Sequence, residues 1–595
     1  MFIIKVPLVD KIIGLGSGRT TMSEFSAPID QAIKAVTAPG SPFEITQYQS
    51  QGVDYRIYAH APKNLLELVA PGRDFTDQEF VIYQDQRWTF SHFHRQVDRL
   101  AVQLIRRFNI QKGNRVAIAM RNYPEWMAAF LAIVSVGAVA VPLNSWGAGK
   151  ELQQSLEEAS CDLVFCDQQR LNIIQPHKHG LTSIVVRDEG ALHKSCHSYL
   201  DVISDQSVVQ LSVKDIREVL SSIEIDTQDE AMIMFTSGTS GTPKAALFTH
   251  FNCCQSITNF EAVAAAAYMT NIDAYTKHLN SGRPSKALIT VPLFHVSGLF
   301  AQFLLTLRGG RTMVLMYKWD PVEACDLMTE EQITVLVAAP SMLLDLARHP
   351  KFSTIDTSAI SNVSSAGAAT PAKAAQFLKE KFSESLPGSG WGMTETGAAG
   401  ASFTGYFYHL KRGSSGFINP IVDLRFCDED GIGLEPGATG EIWIKSPTTI
   451  AGYANNPDAN ISDFKDGWFK TGDIGYLDAD KCLFISDRAK DMVIRGGENI
   501  FPVEVENTIQ SLPAVIGACG FAIPSEHYGE ELMVVVRVAP EDLNQVDEKM
   551  IQGHCQENLA KFKVPSIVIV TDQEFPLNAS NKVIKKQVKA LFDPT

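Results

Sequence analysis

The stretch Thr236-Ser237-Gly238-Thr239-Ser240-Gly241-Thr242-Pro243-Lys244 gathers the densest set of anion-binding groups in the chain. Gly238 and Gly241 permit backbone turns that aim amides at an anion. The hydroxyls of Thr236, Ser237, Thr239, Ser240 and Thr242 add donors, and Lys244 adds a positive charge. Such a loop suits a polyphosphate that must be gripped and then released. It differs from the Walker A loop, whose lysine directly follows a glycine; here Lys244 follows Gly-Thr-Pro and precedes Ala245.

Composition narrows the remaining classes. Lys plus Arg is 52 against 67 Asp plus Glu, a formal net charge of -15. That balance repels a polyanion, and without a basic stripe it excludes nucleic acid while leaving room for a small phosphate compound. The 10 cysteines include no CxxC pair, and no histidine cluster has metal-ligand spacing. A disulfide scaffold or zinc site is therefore not expected, and a reduced, cytoplasmic setting is.

The elements that must position the loop read as alternating helices and short β-branched strands. At 595 residues the chain calls for two or more domains. Residues 81–90 alternate as one strand, and Ser91 is placed to cap a helix with Phe93, Val97, Leu100, Leu104 and Ile105 on one face. Further strands are expected at 115–120, 163–166, 183–186, 232–235, 287–290, 312–316 and 333–339, the pattern of an α/β protein with largely parallel sheets. From about residue 412 turn signals separate short strands, as in an antiparallel or barrel-like module, and beyond 490 the pattern is mixed α+β.

Two apolar stretches invite other readings. Trp126–Leu143 is uncharged and long enough for a membrane span, but Gly137 divides it, and a buried helix, a turn and a buried strand account for it better. The first residues, with glycines at 14, 16 and 18, carry Arg19 where a dinucleotide fingerprint needs its third glycine, and read as a flexible leader.

With the remaining motifs the chain resembles the adenylate-forming (ANL) superfamily, in its acyl-CoA synthetase branch. The motifs fall in order: the loop at 236–244, PLFHVSG at 292–298, SAGAAT at 365–370, GWGMTETG at 390–397, YANNPD leading to GWFKTGD at 467–473, DRAKDMVIRGGENIFPVEVE at 487–506 and PLNASNKVIKK at 576–586. The resemblance implies a leader and extension over 1–59, and an N-terminal domain of parallel-sheet α/β layers over 60–489 with a β-barrel-like subdomain at 412–489. It also implies a small mobile α+β C-terminal domain over 490–595.

The activity implied has two steps. A carboxylate attacks the α-phosphorus of ATP, and a thiol, usually of coenzyme A, then displaces AMP. Lys582 matches the catalytic lysine, although Asn581 stands where the family has glycine. Thr394 matches the residue on the α-phosphate, and Glu395 the Mg²⁺ ligand, a hard oxygen donor suited to that ion. The loop residues, with Gly367, Ala368, Gly390, Trp391, Gly392, Met393, Asp473 and Arg488, match nucleotide contacts: Trp391 against adenine, Asp473 and Arg488 at the ribose. Lys490 matches the hinge, Gly496 and Gly497 the coenzyme A tunnel, and His295 a place between acyl pocket and adenylate. Relatives that activate amino acids place an acid near that histidine; Phe294-His295-Val296-Ser297 has none, which favours a plain, apolar carboxylic acid. An enzyme that stops at the adenylate, serving a carrier protein or closing a β-lactone, stays open. A luciferase-like oxygenase and a non-catalytic nucleotide-binding scaffold are the more distant alternatives. No membrane span is expected, and a homodimer stays open.

Overall fold

The computed structural model describes residues 26–236, 243–365, 370–411, 413–578 and 581–593. The expected leader segment with its glycines, the loop residues Ser237 to Thr242, and Gly367 and Ala368 lie outside the described residues.

The described chain begins with helix α1 (Ala27–Val36), which has Pro28 in its first turn, where a missing amide costs nothing, Asp30 in that same turn and Lys34 in its last. Ile29, Ala32, Ile33 and Val36 recur at helical spacing and form one apolar face. An antiparallel hairpin, Ile45–Ser50 with Val53–Tyr58, follows. Its turn residues Gln51 and Gly52 both have positive φ, as a tight hairpin turn with native twist requires.

Residues 81–90 form a hairpin rather than one strand. Glu79–Tyr83 pairs with Gln86–Thr89, and Gln84 turns the chain at φ 52°. The next helix starts at Phe90, and its cap is Thr89, not Ser91: the Thr89 hydroxyl accepts from the His92 amide at 3.1 Å. The uncharged stretch resolves into helix Pro124–Ser135 and strand Val139–Pro142, every residue of both buried, with Gly137 at φ 69° between them. Among the described residues no helix is long and apolar enough to cross a membrane.

The first large sheet has eight strands. Arg115–Ala119, Val139–Pro142, Leu163–Asp167, Thr182–Val186 and Cys196–Ser198 run parallel, and β1 (Glu230–Thr236) joins them parallel to Val139–Pro142. β2 (Lys244–Thr249) returns antiparallel to β1, pairing Lys244 with Thr236, so the hydroxyl-rich loop connects a hairpin. The long helix α2 (His250–Thr270) follows, capped by a reciprocal Thr249–Asn252 box.

The second sheet has 14 strands. Its parallel part comprises Glu79–Tyr83, Thr312–Leu315, Lys286–Ile289, Val335–Ala338, Asn362–Ser365 and β3 (Leu386–Trp391). β4 (Ala401–Thr404) reverses direction, and the ladder continues through Gly416–Ile418 to the antiparallel β5 (Trp468–Leu477) and β6 (Cys482–Arg488), with Gly440–Lys445 and Asp423–Cys427 at the edge. The antiparallel texture expected after 412 is present, hydrogen-bonded in line with the parallel strands. A third sheet of five strands, between Val493 and Thr571, has its own core around Val493, Val505, Ile509, Val534 and Ile551. The molecule is thus a multidomain α/β protein. The C-terminal ends of β1, Asn362–Ser365 and β3 open onto the motif loops, the usual place for a ligand in a parallel sheet.

Buried histidines tie this scaffold to pH. His250 is fully buried, and its Nδ1 accepts from the Leu65 amide at 3.2 Å, which only the neutral ring can do. Desolvation holds its pKa down at about 4, and that of His94 likewise at about 4. The unfolded chain therefore takes up protons first as pH falls below about 6.5, and the stability these rings confer is lost between there and pH 4. Urea midpoints should decline across that window. H250Q, whose amide oxygen can accept the same bond without titrating, should show a shallower decline.

Candidate functional site

Glu395 lies in the short turn Thr394–Thr396, just past the end of β3. The turn packs on α2 without a gap: Gly397 has φ 60°, and a Cβ there would come within 2.1 Å of the Ser256 hydroxyl oxygen. The Glu395 carboxylate is buried, and its Oε1 accepts from the Tyr453 hydroxyl at 3.2 Å. Burial raises its pKa, while hydrogen bonding from its own turn and Tyr453 and the charge of Arg488 pull the other way. The Thr236 hydroxyl, at the end of β1, is near enough to act on the same carboxylate, but makes no well-formed hydrogen bond. A buried carboxylate with no cationic partner within salt-bridge range among the described residues fits a single protein ligand to a hard cation. Among the described residues no group of three metal-binding side chains exists, so a cation here takes its other ligands from elsewhere.

Lys244 stands at the neck of the hydroxyl-rich loop, opposite Thr236. Its ammonium pairs with Asp463 at 2.6 Å and lies 4.8 Å from the centre of the Tyr453 ring. Lys244 is thus already neutralised by an acid, which sequence reasoning did not foresee. It singled out neither Tyr453 nor Asp463 as a neighbour of these groups. Tyr453 opens the recognised YANNPD motif, but only the fold shows that its ring and hydroxyl link Lys244 to Glu395.

Asp473 and Arg488 are register partners on β5 and β6. The Arg488 Nε donates to Asp473 Oδ1 at 2.6 Å, and the Trp391 indole N–H donates to Asp473 Oδ2 at 2.7 Å. Trp391 is therefore fixed by the carboxylate expected at the ribose. Its ring is backed by Gly400, where a Cβ would fall 2.6 Å from Cε3. Gly390 and Gly392, on either side of Trp391, are exposed, and Met393 and Thr394 are half-buried.

His295 precedes a short turn in which Gly298 is obligatory, because a Cβ there would lie 2.3 Å from the Pro292 carbonyl oxygen. The chain then winds as a π-helix over Leu299–Leu304, a winding frequent at functional sites. The His295 Nε2 has no hydrogen-bond partner among the described residues. Desolvation, with the charge of Lys582, lowers its pKa to about 4, so the ring is neutral near pH 7.

That effect locates Lys582. The residue sits at a tight hairpin closed by a bridge between Leu577 and Val583, with the Asn578 amide donating to the Lys582 carbonyl at 2.8 Å. Its side chain is exposed at the surface, and the charges of Arg488 and Asp473 act on it from nearby: desolvation and Arg488 lower its ammonium pKa, and Asp473 partly restores it. Lys582, His295 and the Asp473–Arg488 pair thus come within electrostatic reach from three distant stretches of sequence. Asn581 has φ 56°, the left-handed conformation that glycine adopts freely and asparagine tolerates better than other residues, which explains the exchange seen in the sequence. Its carbonyl accepts from the Ser341 hydroxyl at 2.8 Å. Lys373 donates to the Leu512 and Val515 carbonyls, each at 2.7 Å, and Arg348 to that of Ile516 at 3.1 Å, so the third sheet is held against the body in this arrangement.

Lys490 is exposed in a single turn between β6 and the third sheet. Gly496 and Gly497, with φ 58° and 88°, form an exposed hairpin tip; a Cβ at Gly496 would lie 3.1 Å from Tyr528, and one at Gly497 would meet nothing within 4 Å among the described residues.

Comparison with known proteins agrees with this geometry. The AMP-binding enzyme family matches residues 70–454, and the AMP-binding enzyme C-terminal domain matches 504–582. This chain belongs to the AMP-binding enzyme family. It is an adenylate-forming enzyme of the ANL superfamily and, by class, an acid–thiol ligase of the acyl-CoA synthetase type. It is 29% identical over 504 residues to a feruloyl-CoA synthase of Amycolatopsis sp, covering 85% of this chain and 94% of that one. It is likewise 29% identical over 512 residues to the long-chain-fatty-acid–CoA ligase FadD13 of Mycobacterium tuberculosis, covering 86% and 94%. The solved structure of o-succinylbenzoate coenzyme A synthetase (MenE) from Bacillus subtilis, in complex with ATP and magnesium ion, is similar with TM-score 0.68 at 27% identity, covering 89% of this chain and 99% of that one.

The left-handed residue before Lys582 generates a direct test. N581G should keep the rate of adenylate formation. N581V, which pays about 1–2 kcal/mol for a left-handed β-branched residue, should lower it about tenfold, as single-turnover AMP formation will show.

Proposed function

We propose that this enzyme joins an apolar carboxylic acid to coenzyme A, using ATP and releasing AMP and pyrophosphate. The observation that carries the reading is the joining of Trp391, Asp473 and Arg488, from three separate motifs, by bonds of 2.6 and 2.7 Å. In the first step a carboxylate oxygen bonds to the α-phosphorus of ATP and the bond to pyrophosphate breaks. Both reactants are anions, so alignment and positive charge must supply most of the catalysis. Lys582 is proposed to bridge them, its ammonium drawing on both negative groups.

The other residues divide the binding. Thr236 and the loop Ser237, Gly238, Thr239, Ser240, Gly241 and Thr242, with Lys244, grip the phosphates. Lys244 must exchange Asp463 for phosphate oxygen to do so, a swap that favours release once pyrophosphate leaves. Thr394 donates to the α-phosphate. Gly367, Ala368, Gly390, Trp391, Gly392 and Met393 enclose the base. Asp473, already positioned by Trp391 and Arg488, accepts from the ribose hydroxyls. Glu395 would hold magnesium, which when bound supplies charge neutralisation to the phosphate oxygens.

In the second step the thiol of coenzyme A bonds to the acyl carbon and AMP departs. Rotation about Lys490 would withdraw Lys582 and bring Gly496 and Gly497 to the acceptor channel. The absence of any acid in residues 294–297 supports an acid without an ammonium group. The similarity to ligases of ferulate, long-chain fatty acids, succinylbenzoate and oxalate supports a carboxylic acid as substrate without choosing which.

Pyrophosphate release across acids of graded length and shape, with and without coenzyme A, tests the whole reading; no release from any acid overturns it, and release indifferent to coenzyme A would favour an adenylate-only enzyme. K582A should reduce adenylation by at least about a hundredfold while converting supplied acyl-adenylate and coenzyme A to thioester at nearly the parental rate. Equal loss in both half-reactions would contradict the role given to Lys582. E395Q should shift the magnesium concentration for half-maximal adenylation upward, and an unchanged titration would remove Glu395 as the ligand.

A further inference from the structure

Two neighbouring helices of the body, α3 (Pro340–Arg348) and α4 (Ala372–Lys381), meet the third-sheet domain. Lys373 lies in the first turn of α4, where the dipole of that helix opposes a cation. Its place is accounted for by what it touches. The ammonium donates to the main-chain carbonyls of Leu512 at 2.7 Å, Pro513 at 3.2 Å and Val515 at 2.7 Å. An ammonium has three hydrogens, and this one turn engages all of them.

The turn follows directly on α5 (Pro502–Gln510), a helix of the third-sheet domain. The carbonyl end of a helix carries partial negative charge, so Lys373 stands where a cation is favoured. The opposite end of α5 is held by an acid of the body. Asp487, near the end of β6, accepts at Oδ2 from the Val503 amide in the first turn of α5, at 2.9 Å. The body thus meets α5 with an acid at its amide end and a cation just beyond its carbonyl end. Each charge has the sign that the helix dipole favours.

Two further bonds join the same surfaces. Arg348, the last residue of α3, donates to the Ile516 carbonyl at 3.1 Å, and Ser341, near the start of α3, donates to the Asn581 carbonyl at 2.8 Å. The helix α3 therefore reaches from the turn that Lys373 grips to the residue preceding Lys582. The carbonyls held by Lys373 and Arg348 return to water when the contact opens, and no acid is left unpaired, so the grip is reversible. On its other side α4 follows the SAGAAT motif at 365–370, where the Thr370 hydroxyl donates to Ser365 at 2.9 Å.

We propose that Lys373 is a positioning residue for the first half-reaction: by gripping the turn after α5 while Asp487 holds the start of that helix, it keeps the C-terminal domain where Lys582 comes near Asp473, Arg488 and His295. The proposal rests on the acid-activating reading above. Lys373 touches no reacting atom and acts through Lys582. Its loss leaves the domain folded but frees it from this arrangement. Adenylate formation then slows, whereas the thiol step, which uses the other arrangement, does not.

The test uses the full chain with K373M, which keeps most of the side chain's length and removes its charge, and with K373R. The acid is the one that releases most pyrophosphate in the graded panel above, which includes dodecanoate and ferulate. Single-turnover pyrophosphate release by K373M should fall about tenfold, the scale of one lost charge-assisted hydrogen bond, and K373R should recover part of it. Thioester formation from the synthetic adenylate of that acid and coenzyme A should stay at the parental rate or rise. Equal loss in both half-reactions, or no loss in either, overturns the proposal. Hydrogen exchange gives a readout that needs no acid: K373M should speed exchange in residues 511–517 and leave the core strand at 532–538 as protected as in the parent. Unchanged exchange at 511–517, or faster exchange in the core strand as well, also overturns it. Exchange altered as expected, with no pyrophosphate from any acid, would sink the activation reading and the role of Lys373 in it while leaving the clamp on α5 standing.

Discussion

The constraint that shapes this region is a cluster of charges held close together, Asp473 against Arg488 with Lys582 nearby. Desolvation and the Arg488 guanidinium both favour the neutral amine of Lys582. The position is maintained by backbone geometry and not by a strong pair: the left-handed Asn581, the bond from Ser341 to its carbonyl, and the bridge between Leu577 and Val583. Asp473 partly compensates these effects.

Asp473 couples this arrangement to the rest of the cleft. Its two oxygens are divided between Trp391 and Arg488, so one carboxylate sets the position of an aromatic ring and of a cation. Charge-assisted bonds of this length are among the stronger ones in a protein. On the opposite side, Tyr453 performs a similar service, donating to Glu395 while its ring lies beneath the Lys244 ammonium. The Asp473 and Glu395 carboxylates are thus each fixed by hydrogen bonds to side chains distant in sequence.

The long helix α2 is the common floor. It closes against the Glu395 turn at Ser256 and carries the hydrogen bonds that seat the N-terminal extension at Gln255 and Asn259. Buried polar residues on a helix of this length need partners, and here the partners come from segments far apart in sequence. The Glu395 turn and the N-terminal extension therefore share one element.

The order of short motifs identified the family and the ligase class, because those motifs are local: a glycine-spaced loop, a turn with Glu395, a lysine near the C-terminus. Periodicity likewise located the parallel strands and the divided apolar stretch, since a period of two or 3.6 is written in consecutive residues. It failed at 81–90, where a two-residue turn left the alternation unbroken, and at the helix cap, where Thr89 and Ser91 are equivalent by type and only the backbone decides. Long-range partners were beyond it. Asp463 on Lys244, Tyr453 on Glu395, Trp391 on Asp473, and Lys373 on the turn after α5 are pairings between segments that the sequence separates by tens to hundreds of residues. The sequence by itself determined which chemical groups the protein has and the reaction they suit. The tertiary structure alone decided which charges are neutralised and which segments are held together, because those depend on distances that folding sets and residue order does not.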